Sequence, residues 1–97
     1  MQPVNDALDA LPGWDLVSVG LRDRAAGRES VEAVLLEVAS LRLREAGFNV
    51  DPSPGDPTIR LYALIEADVG PRRAHSRYNA LRARLLSFLR SVDAPAA

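Results

Sequence analysis

The sequence predicts an all-α fold, a small bundle of four to five helices in a single domain over residues 1–97. Three features carry that expectation. The run over 30–46 repeats apolar residues at helical spacing, a second run does the same over 74–92, and Gly/Pro turns punctuate the chain between such runs.

The run over 30–46 has the plainest boundaries. Ser30 is placed to cap it, Glu32 suits its first turn, and Gly47 follows as the residue that takes the left-handed turn after a helix. On a helical wheel Val31, Val34, Leu35, Val38 and Leu41 share one face, and Leu36, Ala39 and Leu43 widen it. Ala33, Glu37, Ser40 and Arg44 form the narrow opposite face. So broad an apolar surface predicts a central helix contacted from several sides. Phe48 is placed to fold back on the last turn.

In the run over 74–92, Ala74, Tyr78, Leu81, Leu85, Phe88, Leu89 and Val92 fall within about 100° of arc, an ordinary core-facing stripe. Leu86 lies outside it and suits a partner surface.

Two further segments carry mixed periodicity. Over 57–68, Asp56 and Pro57 give a helical start, and Leu61, Leu64 and Ile65 keep helical spacing, yet Ile59, Leu61, Ala63 and Ile65 also alternate. Over 14–26, Pro12-Gly13 marks a turn, Asp15 suits a first turn and Gly27 a stop, while Val17, Val19 and Leu21 alternate. Helix is the expectation for both. The alternative is an α+β chain with two short strands at 14–21 and 58–66 and two helices. A short helix over 3–11 is also consistent with the pattern. Residues 51–57 read as a Pro-rich loop and 93–97 as a frayed tail. Trp14, Leu61, Tyr62, Leu81, Leu85 and Phe88 are expected to pack around the central helix.

Composition narrows the function classes. The chain has no Cys, which excludes disulfides, thiolate metal sites and thiol nucleophiles. It has one His, no Gly-rich phosphate loop and no His-Glu helix motif, so no enzymatic activity, metal or cofactor is expected. The acidic start, with Asp6 and Asp9 and no basic residue, is unlike a signal peptide, and no apolar stretch is long enough to span a membrane; the expected location is the cytoplasm. All twelve basic residues are Arg, the usage of a GC-rich, bacterial-type coding sequence.

Charge is uneven. Residues 1–48 hold five Arg and eight acids; residues 49–97 hold seven Arg and five acids. Between 70 and 92 there are six Arg and no acid. The densest polar group is Arg72, Arg73, His75, Ser76, Arg77 and Asn79, which opens the last helix, with Arg84 on the same flank as Arg73 and Arg77. Bidentate guanidinium groups beside a helix N-terminus suit an anion or a partner carboxylate. The bland alternative is structural: Ser76 as a helix cap, His75 and Asn79 bonded locally, and the arginines paired with Glu66 and Asp68. Arg42 falls on the apolar arc of its helix, which suggests a bridge to Asp23 or contact with a partner chain.

Nucleic-acid binding is possible but not favoured. The pI is 5.7, exposed aromatics are scarce, and no helix-turn-helix, zinc-finger or basic-zipper pattern is present. The expected function is a non-enzymatic protein–protein interaction or self-associating module, its partner a second copy (a homodimer) or another protein, with anion or nucleic-acid binding through the Arg-rich segment as the alternative.

Overall fold

The structure, a computed structural model, describes residues 10–51 and 53–93, which form five helices and no strand. These are α1 (Trp14–Ala25), α2 (Val31–Val38), α3 (Ser40–Glu45), α4 (Pro57–Val69) and α5 (Pro71–Asp93). The fold is all-α, and the strand alternative is overturned at both segments. The alternation that suggested strands includes apolar residues that the helices leave exposed, Val19 in α1 and Ile59 and Ala63 in α4. The expected helix over 3–11 lies mostly outside the described residues.

The local signals act as read. The Ser30 hydroxyl accepts the Ala33 N–H at 3.1 Å and so caps α2. Asp56 accepts the Thr58 N–H at 2.9 Å, with Pro57 at the first position of α4. After α3, Gly47 takes a left-handed φ of 100° and the Phe48 N–H reaches the Leu43 carbonyl at 2.9 Å, a Schellman end. Phe48 then packs with Trp14 and Phe88, ring centroids 5.7–6.2 Å apart.

The central run departs from expectation. It is two helices, not one, interrupted at Ala39, where φ is −111° and ψ 27°. The Ala39 N–H bonds the Leu36 carbonyl at 3.2 Å, a tightened three-residue turn that rotates everything after it. Leu41, expected on the core face, is therefore 67% exposed, while Leu43 is fully buried. Arg42 is exposed for the same reason and does not bridge to Asp23. Asp23 is buried, and its carboxylate takes Arg28 at 3.0 Å and the Ser30 hydroxyl at 2.6 Å. Glu37, expected on the polar face, is buried. At the chain's other end α5 starts at Pro71, three residues earlier than expected, so Ser76 lies inside the helix and caps nothing.

The helices pack in sequence: α1 on α2, α2 on α4, α4 on α5, and α5 back on α1. The core collects Val17, Val34, Leu35, Leu36, Leu61, Ile65, Leu81, Leu85, Phe88 and neighbours. Of the residues expected around the central helix, Leu61, Leu81, Leu85 and Phe88 are buried and Trp14 and Tyr62 half-buried. Close approach of α1 to α2 depends on Gly20, where a Cβ would stand 2.8 Å from the Glu32 carbonyl oxygen and from the Leu36 side chain. Gly13 has the same role at the α1–α5 contact: its φ is +80°, and a Cβ there would meet the Arg84 carbonyl at 2.6 Å.

Two stability outcomes follow from this packing, each read by urea denaturation. Leu35→Ala is expected to cost about 2–5 kcal/mol through the cavity it leaves. Gly20→Ala is expected to cost about 1–3 kcal/mol because backbone must move. Helix propensity alone gives the opposite sign, a gain of about 1 kcal/mol, so stabilisation by Gly20→Ala would contradict the α1–α2 contact.

Candidate functional site

Two concavities among the described residues are of comparable size and opposite chemistry. One is polar. Arg24 near the end of α1, Glu37 in α2, Ser53 in the loop and Arg60 in α4 converge on a depression of about 240 Å³. Glu37 is its centre. Its side chain is 4% exposed, and its carboxylate accepts the Ser53 N–H at 3.0 Å, Arg60 at 2.9 Å and Arg24 at 3.1 Å. Arg60 also reaches Glu29 at 3.1 Å, and Arg24 bonds the Asp51 carbonyl.

Burial by itself would raise the Glu37 pKa. The Arg60 hydrogen bonds, the Ser53 N–H and the charges of Arg60 and Arg24 outweigh it and hold the carboxyl below its ordinary range. The same pairing raises Arg60, chiefly through its hydrogen bond to Glu37. Every charge around Glu37 is thus matched by another group of the same chain. The arrangement closes the fold at the meeting point of α1, α2 and α4. Among the described residues no group of three or more His, Asp and Glu is placed to hold a metal ion, and no helix is long and apolar enough to cross a membrane.

The second concavity is apolar. It lies where α2 gives way to α3 and faces α5, with a volume of about 220 Å³. Val38 and Ala39 form one wall and Leu85, Leu86 and Leu89 the other, with Arg42 and Arg82 on the rim. The interruption at Ala39 produces it. Leu41 is turned outward, and the small Ala39 side chain lies opposite the leucines. Arg82 lies over the Tyr78 ring at 5.7 Å, and Tyr78 is in contact with Tyr62, centroids 4.6 Å apart.

All of the residues singled out in sequence lie on α5, but they do not converge. Arg72, Arg73, Ser76 and Arg77 are exposed, and the three arginines make no ion pair among the described residues; the expected pairing with Glu66 and Asp68 is not formed. His75 is engaged locally. The Tyr62 hydroxyl lies 2.7 Å from its Nδ1 and the Asn79 amide nitrogen 3.2 Å from its Nε2. With the amide donating to Nε2, the ring carries its proton on Nδ1 and donates it to the Tyr62 oxygen. Arg84 is drawn to the other flank, where it pairs with Asp15 of α1 at 2.6 Å, and this hydrogen bond lowers the Asp15 pKa.

Sequence reasoning marked Leu86 and Arg42 as partner-surface candidates but missed the recess they border. No Gly or Pro marks the break at Ala39. It also placed Glu37 in solvent, although a carboxylate directly after Val34, Leu35 and Leu36 is itself a signal of a buried ion pair.

Compared with protein-family models, curated proteins and solved structures, the chain matches none.

The charge around Glu37 sets an acid limit. A carboxylate with a depressed pKa in the folded state contributes stability in full above the unfolded value of about 4.3 and loses it as pH falls through the folded value. Glu37→Gln is expected to cost about 1–3 kcal/mol at pH 7 and progressively less toward pH 3. Denaturation midpoints measured across that range check it; an equal cost at every pH would detach Glu37 from the acid limb.

Proposed function

We propose that the protein is a non-enzymatic protein–protein interaction module, and that it seats an apolar side chain of a partner protein in the recess between α2/α3 and α5. The recess itself carries the reading: a concave, apolar surface beside the core with the Arg82 guanidinium at its edge. Burying one large aliphatic or aromatic side chain there contributes about 1.5–3 kcal/mol, the size of an interface anchor. An aliphatic wall with a cationic rim selects an apolar anchor flanked by carboxylates.

The partner is a different protein rather than a second copy. A two-fold self-association through this recess would bring the same arginine-bearing flank of both chains together.

The alternative, an anion or nucleic-acid site built from Arg72, Arg73, His75, Ser76, Arg77, Asn79 and Arg84, has less support. His75 and Asn79 bond locally and Arg84 pairs with Asp15. That leaves three arginines without a shared cleft.

Peptides selected from a random display library on the intact chain test the docking reading. Their affinity is expected to fall about tenfold or more against Ala39→Trp, which fills the recess, and against Leu86→Gln, which makes its wall polar. Circular-dichroism melting establishes that each variant still folds. Selected peptides indifferent to both substitutions would overturn the proposal.

A further inference from the structure

Resting on the docking reading above, the geometry points to an acidic amphipathic helix as the segment that docks, laid along α5 with its carboxylates on Arg72, Arg82 and Arg90 and an apolar residue in the recess.

The argument starts from the surface of α5. At 100° per residue, Arg72, His75, Asn79, Arg82, Leu86 and Arg90 share one arc of the helix, and this arc borders the recess. All but Leu86 are exposed. Arg73, Arg77 and Arg84 lie on the opposite flank, where Arg84 meets α1. Arg72, Arg82 and Arg90 make no ion pair among the described residues, and α5 holds no acid before Asp93. The recess-side arc is therefore a straight strip of uncompensated positive charge with one apolar interruption at Leu86.

Its spacing selects the ligand. With a rise of 1.5 Å per residue, Arg72 and Arg82 stand about 15 Å apart along the axis and Arg82 and Arg90 about 12 Å. Carboxylates about three turns and two turns apart on a parallel helix meet those intervals, and an apolar residue between the second and third reaches the recess. This is helix-in-groove recognition, with charge setting register and the apolar anchor contributing affinity. A nucleic-acid strand would answer the charge but not the aliphatic recess, and no aromatic face is open for stacking: Tyr78 is covered by Arg82 and Tyr62.

Fluorescence anisotropy on the intact chain tests the inference with four labelled probes at low and high salt. Three are helical peptides of one sequence, with Leu at the anchor and Glu, Gln or Lys at the flanking positions; the fourth is a single-stranded oligonucleotide. The Glu peptide is expected to bind about tenfold tighter than the Gln peptide at low salt and to converge on it at high salt. Arg72→Ala and Arg90→Ala, which lie outside the recess, are each expected to weaken the Glu peptide about two- to fivefold and to leave the Gln peptide unchanged. Equal binding of Glu and Gln peptides, with both lost in Ala39→Trp and Leu86→Gln, would overturn the acidic-helix inference and leave the recess reading standing. Failure of every peptide would overturn both. Salt-sensitive binding of the oligonucleotide in preference to the Glu peptide would assign the arginine strip to nucleic acid and overturn the inference.

Discussion

The pairing of the buried Glu37 carboxylate with Arg24 and Arg60 is the constraint on which the rest of the structure depends. Three separate stretches of chain, α1, the Pro-rich loop and α4, reach one side chain of α2. An ionised carboxylate in so enclosed a place is tolerable only with its oxygens satisfied, and here both are. The requirement works in both directions. Glu37 fixes where Arg24 and Arg60 must lie, and Arg60 carries the start of α4 with it. Apolar burial alone tolerates sliding of one helix past another; this set of hydrogen bonds admits one register.

A second, apolar recess lies where α2 gives way to α3. α5 packs on α4 and α1, and the turn at Ala39 faces the leucines of α5 across the recess. One concavity is filled by the protein's own charges and the other by nothing on the chain as described. The first is self-compensated and the second is open and apolar.

Helix identity and most boundaries were legible in the sequence because they are local. Ser30, Asp56, Pro57, Gly27 and Gly47 act within four residues of themselves, and their chemistry is the same in any fold. Leu35, Leu85 and Phe88 were legible as core through periodicity. Illegible were the events decided by tertiary packing. The break at Ala39 has no residue that demands it, and with it went the exposure of Leu41 and Arg42. Glu37 was misplaced because its partners sit 13 and 23 positions away in sequence. His75 looked like site chemistry because it sits among arginines; its partner Tyr62 belongs to a different helix.

The pairing order of the helices has a kinetic consequence. α1 with α2, and α4 with α5, are neighbours along the chain, so each pair closes through a short turn at little entropic cost. The α2–α4 seam joins the two hairpins across the Pro-rich loop. Such a topology of local contacts belongs among the fast folders. The guanidinium–carboxylate contacts across the seam form only after the hairpins meet. They slow the escape from the native state more than they hasten its formation, which ties the lifetime of the folded chain to the Arg60–Glu37 contact.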